Sequence, residues 1–183
     1  SGRRGVVDEE LLQAAGSKLE FRDIVLHTCK LDRPTDLDPL LYPSLIRQKA
    51  EHEVITDRLF FADADDEEVE ILRNYIRFLI TAFEKSADDE ETRSDDDTPL
   101  FLIEAEYRVD YLVTGDLSDD EVQEFSKYNV VHNAWPFWRQ HVYQTVSNAK
   151  LPRITIPFFR RDPETPKPKR TKRKTAKKKL SKQ

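Results

Sequence analysis

Glycine is scarce in this chain, with four in 183 residues, and none of them clusters behind a strand-like run. That excludes a phosphate-cradling loop, in which several glycines let successive backbone N–H groups approach the anion. Cys29 is the single cysteine, so no internal disulfide can form, and a cytoplasmic location is expected for a chain with one lone thiol. No apolar run approaches the roughly 18 residues of a membrane span, and no apolar signal region is expected. The sequence also lacks the His-Glu-x-x-His zinc signature. His27 and Cys29 lie two apart on a strand-like run and are expected to share a face, but no second close pair completes a zinc site. Asp63, Asp65 and Glu67 imitate the start of a calcium loop without the glycine of its sharp turn or its closing glutamate. His132 and His141 flank a helix as polar edge groups, and no spacing supports a histidine base for Cys29. These absences argue against an enzyme and imply no cofactor and no metal.

Charge is what the chain has in abundance, and it is unevenly spread. Residues 160–183 hold twelve Lys/Arg against Asp162 and Glu164, a local balance of +10, so the rest of the chain carries −15 of the formal −5. The pattern is an acidic body with a basic, proline-interrupted and disordered tail. Three parts are expected: an N-terminal segment 1–18 with a short helix, a folded domain 19–159 and the basic tail 160–183.

Strand patterns fill the middle of the domain. FRDIVLHTCKL (Phe21 to Leu31) and HEVITDRLFF (His52 to Phe61) are rich in strand formers. In Glu70 to Phe83, Ile76, Phe78 and Ile80 alternate. Ile103, Ala105, Tyr107, Val109, Tyr111 and Val113 occupy one face of the clearest strand. Residues 85–97 have almost no apolar content, which predicts a hairpin between the last two strands. Asp32 to Pro43 reads as a loop that nevertheless carries Leu37, Leu40, Leu41 and Tyr42. Ser118 and Glu121 have capping-box spacing before a short helix.

The longest helix is predicted from Asn133, taken as its N-cap, with Pro136 in the first turn and Trp135, Trp138, Val142, Thr145 and Ala149 on one stripe. Leu151-Pro152 ends it, and ITIPFF reads as a short strand with Pro157 at an edge or bulge. Strands first and helices last predict an α+β fold.

The stretch NAWPFWRQHVYQTVSNAKLPRITIPFF, preceded by PLFLIEAEYRVDYLVTGD, resembles the C-terminal signature of the SecB family. The likeness reaches more loosely to RNYIRFLITAF and Phe21 to Leu31, about two-thirds of the chain. It implies a four-stranded antiparallel sheet with C-terminal helices, assembled as a dimer of dimers. It further implies an ATP-independent holdase for non-native polypeptides, serving export or a dedicated client such as an antitoxin. On this resemblance Leu37, Leu40, Leu41, Tyr42, Leu45 and Ile46 border a client groove. Asp32, Leu102 and Glu104 match a surface that docks the secretion motor SecA, although Thr28 stands where the family usually offers another carboxylate. Trp135, Phe137, Trp138 and Val142 would contribute to a tetramer contact. The further groove-lining helix usual in the family is not expected from the basic tail, residues 160–183, which have too many prolines and too little apolar content to form it alone. That tail supports a second reading, a nucleic-acid- or ribosome-associated protein on an oligomeric platform.

Overall fold

The computed structural model describes residues 7–33, 46–62, 66–84 and 98–159. Helix α1 (Glu9–Gly16) leads into strand β1 (Leu19–Asp32), followed by β2 (Ile46–Ala62), β3 (Glu68–Glu84) and β4 (Phe101–Val113). Helix α2 (Asp119–Phe125), a π-helical turn (Ser126–Val130) and helix α3 (Val131–Asn148) then follow without a break. The four strands form one antiparallel sheet in the order β1-β4-β3-β2. β3 and β4 form the hairpin that the polar stretch between them predicts. Consecutive strands β1 and β2 lie on opposite edges of the sheet.

The sequence alternation in β3 and β4 shows as burial. Leu72, Ile76, Phe78, Ile80, Ile103, Ala105, Tyr107, Val109 and Tyr111 all point to the face covered by α3. α3 returns Val131, Ala134, Trp138, Val142 and Val146 to them. Trp138 stacks on Phe78 with ring centroids 5.4 Å apart and planes 11° from parallel. Coverage stops short of the sheet edges: β2 contributes no buried residue and β1 only Leu19.

Two predicted helix features differ. Asn133 does not cap a helix; it lies inside α3 and its Nδ2 donates to the Tyr111 hydroxyl at 2.8 Å. No cap is needed, because the helix arrives already formed from α2 through the π-helical turn. Pro136 therefore lies within a continuing helix, where it withholds the N–H that would bond the His132 carbonyl. The buried stripe accordingly runs through Ala134 and Val146, with Trp135 and Thr145 at its margin. ITIPFF differs too. Residues 149–159 form no strand, although Leu151, Ile154 and Ile156 are buried.

Polar contacts lock the ends. Ser118 and Glu121 make the capping box read from their spacing, and Lys18 Nζ donates to both Glu121 carboxylate oxygens at 2.7 and 2.9 Å. α1 is capped by Asp8 and buries Leu12 and Ala15, so it packs into the body. Beneath the π-helical turn, the Asn74 side-chain oxygen accepts from Thr56 Oγ1 at 2.7 Å and Ser126 Oγ at 2.9 Å, which satisfies a polar group inside an apolar face.

Replacing Trp138 by Ala removes the ring that joins helix to sheet and should cost about 3–5 kcal/mol, read as a lower urea midpoint. An unchanged midpoint would mean that α3 docks by other contacts. Glu121 has its carboxyl held below the usual 4.5, first by the Lys18 hydrogen bond and then by the Ser118 backbone N–H. The stability it contributes is therefore present above that value and lost as the pH falls through the lower folded value. Glu121→Gln should flatten the acid limb of a stability-against-pH curve, and an identical limb would refute the assignment.

Candidate functional site: a trough along edge strand β2

Cross-strand register sets which β2 side chains face α3. Ile46, Gln48, Ala50, His52, Val54 and Thr56 pair with Glu84, Ala82, Ile80, Phe78, Ile76 and Asn74, and so share their face. From Ile46 to Thr56 this row runs roughly 33 Å at the strand's rise per residue. Its far half is open. A cavity of about 540 Å³ lies between His52, Val54 and Thr56 on the strand, Asp119, Val122 and Gln123 on α2, and Ser126 and Lys127 in the π-helical turn. Val54 and Val122 supply an apolar floor while hydroxyl, amide and charged groups ring it. Such a lining takes an apolar side chain and leaves donors and acceptors for a backbone beside it. β2 also pairs only with β3, so its outer backbone edge is unpaired among the described residues. An extended chain could add to it.

On the near half of the row the chain's own residues 151–159 meet Gln48, while Gln48 and Ala50 stay exposed. Leu151, Ile154 and Ile156 are buried, and burial alternates with the exposed Arg153, Thr155 and Pro157. The segment is extended yet joins no ladder. Gln48 substitutes for one: its Nε2 donates to the Thr155 carbonyl at 2.5 Å and its Oε1 accepts from the Thr155 N–H at 3.3 Å. The Trp135 indole N–H donates to the Pro157 carbonyl at 2.9 Å and the Tyr143 hydroxyl to the Ile156 carbonyl at 3.3 Å. Side chains from β2 and α3 thus hold the backbone of an apolar extended segment, here called the strap.

Of the groove residues implied by the resemblance, Ile46 is half-buried at the head of this row. Leu37, Leu40, Leu41, Tyr42 and Leu45 lie outside the described residues, as do the basic tail, Asp63 and Asp65. Asp32, Leu102 and Glu104 are brought together on the opposite face of the sheet: Asp32 pairs with Leu102 and Lys30 with Glu104. Lys30 stands among them, 2.9 Å from Asp32, and its ammonium pKa is raised chiefly by that hydrogen bond. Trp138 and Val142 are inside the subunit at 2% and 0% exposure, and Trp135 is engaged by Phe78, Phe159 and the strap. Phe137 alone of the four is exposed.

His27 and Cys29 do not share a face. The β1 register slips by one residue between Leu26 and Thr28, which leaves His27 as the extra residue of a bulge. His27 packs on Tyr75 and approaches Glu106 on the open face, whereas Cys29 pairs with the inward Ala105. Among the described residues no cluster of His, Cys, Asp or Glu is arranged to hold a metal ion, and no helix is long and apolar enough to cross a membrane.

Gln48 carried no sequence signal, being one polar residue in a polar stretch. Asn74 did, since it interrupts the inward alternation Leu72, Ile76, Phe78 and marks the polar contact beneath the helix.

No protein-family model matches the chain. No curated protein matches it in sequence. Among solved structures it is similar to the Mycobacterium tuberculosis Rv1957 SecB-like chaperone in complex with a ChAD peptide from the Rv1956 HigA1 antitoxin. The two are 14% identical, with a TM-score of 0.60 over 82% of this chain and 98% of that one. The fold is SecB-like.

Within that SecB-like frame, the trough and the strap make a checkable claim about local order. Gln48→Ala should speed amide hydrogen exchange at Thr155 and Ile156 while the β3–β4 amides keep their protection. Equal exchange in both proteins would show that buried Ile154 and Ile156 suffice to hold the strap.

Proposed function

We propose that this protein is an ATP-independent holdase that keeps extended, non-native polypeptides in the trough along β2. The observation that carries this reading is the apolar-floored row on an edge strand whose outer side is unpaired among the described residues, where Gln48 already holds an apolar segment by its backbone. A fold shared with a chaperone solved with an antitoxin peptide supports it. Lys30, set between Asp32 and Glu104, breaks the acidic continuity that motor docking calls for. A dedicated client such as an antitoxin is therefore the better reading than general export with SecA.

Assembly as a dimer of dimers belongs to the same proposal. Phe21, Leu26 and Leu31 lie exposed on the helix side of edge strand β1, and Phe137 and Tyr143 lie exposed on the outward side of α3. Apolar area of this kind on two separate surfaces is what two distinct subunit contacts need. The cytoplasm, where a newly made client is still unfolded, is the matching compartment. Nucleic-acid binding, in contrast, would reside in the basic tail and is separable by deletion.

The purified protein should suppress light scattering from a chemically unfolded substrate diluted into buffer without nucleotide. Val54→Asp combined with Val122→Asp should lose most of that suppression with an unchanged circular dichroism spectrum. Deleting Lys167 to Gln183 should leave suppression intact and remove any salt-sensitive binding to RNA. No suppression by the intact protein at equal molar ratio would overturn the holdase reading.

A further inference from the structure

The face of the sheet turned away from α3 carries a second cavity, at the opposite end of β4 from Leu102. It encloses about 520 Å³ and is lined by Arg22, Arg73 and Arg108 together with the apolar side chains of Phe61, Val69 and Ile71. Its charge pattern is unusual for an open sheet face. Asp23 on β1 stands directly opposite Asp110 on β4, and like charges in that position repel. Two arginines relieve the conflict. Arg73 binds Asp110 with both prongs of its guanidinium, at 2.9 and 2.8 Å. Arg108 reaches Asp110 at 3.4 Å and Asp23 at 4.0 Å. Within the cavity lining, Asp23 and Asp110 thus take up Arg73 and Arg108, and Asp57 on β2 stands opposite Arg73.

Arg22 is left over. A register slip between Phe21 and Asp23 makes it the extra residue of a β-bulge, and it forms no ion pair with any described residue. The cavity thus holds one guanidinium with no ion-pair partner among the described residues, beside a phenylalanine that is 51% exposed. One unpaired guanidinium matches a monoanion. A planar guanidinium fork matches a carboxylate in shape, and the apolar wall needs a hydrophobic neighbour to that carboxylate. A phosphate dianion would exceed the available charge and gain nothing from Phe61.

We propose that this outer-face cavity is a docking site for a polypeptide partner that presents an acidic side chain next to a large apolar one. It lies on the opposite face from the trough. It is also unlike the surface around Asp32 and Glu104, whose unpaired charge is negative. The site does not depend on the holdase reading, and either can fail without the other.

The probe is a fluorescein-labelled peptide, Gly-Leu-Glu-Phe-Gly, titrated with the full chain and followed by anisotropy, against the same peptide with Gln for Glu. The Glu peptide should bind about tenfold more tightly, as expected for one charge-assisted pair. Arg22→Glu should erase that preference. Phe61→Ser should weaken both peptides, and Phe158→Ser, on the other face, should change neither. Equal affinity for the Glu and Gln peptides would overturn the proposal, as would loss of binding in Phe158→Ser. Displacement by inorganic phosphate beyond that by chloride at equal ionic strength would overturn it too, by making the cavity a phosphate site.

Discussion

Everything here follows from a mismatch of widths. A helix with its side chains is about 10–12 Å across, whereas four strands spaced about 4.8 Å apart present a broader face. One helix therefore seals the middle of the sheet and cannot seal its edges. Trp138 stacked on Phe78 marks the sealed centre, where β3 and β4 meet α3. Among the described residues, the two edge strands keep apolar side chains on the helix side that α3 does not cover. Both proposed uses of the inner face, client holding on β2 and subunit contact on β1, occupy what α3 leaves bare among the described residues.

Much of this was legible in the sequence because it rests on short-period signals. Alternation in β4 and the spacing of Ser118 and Glu121 each involve residues close in the chain, and both appear as read. What was not legible rests on continuity or on registry. Asn133 looks like a cap only if the helix begins there, and nothing local says that α2 passes into α3 through a π-helical turn. The bulges that extrude Arg22 and His27 have no glycine to announce them, yet they decide which face each later residue of β1 occupies. The strap has the alternation of a strand, but Gln48 rather than a neighbouring backbone satisfies it. A polar side chain more than a hundred residues away leaves no local pattern to read.

The tryptophans illustrate the same limit. Their shared helical stripe and large area suggest either a core or a partner, and spacing alone does not separate the two. In the structure they divide the work: Trp138 faces the sheet, while Trp135 stands at the margin and uses its indole N–H to tether the strap. Charge follows a similar division. On the outer face, Lys30 interrupts one acidic group and three arginines surround another, so the two ends of β4 present opposite chemistry on one continuous surface.

The Gln48 amide has a consequence for how quickly the trough could turn over. An amide side chain offers one N–H and one C=O in a peptide's own geometry. A guest strand arriving beside Thr155 could therefore exchange with it bond for bond, without stranding a polar group at any stage. At those two atoms the substitution is nearly isoenergetic. The cost of displacing the strap then lies in the buried Leu151, Ile154 and Ile156 and in the Trp135 and Tyr143 bonds. A guest of the proposed kind would have to bring matching apolar side chains, and a competitor would have to do the same.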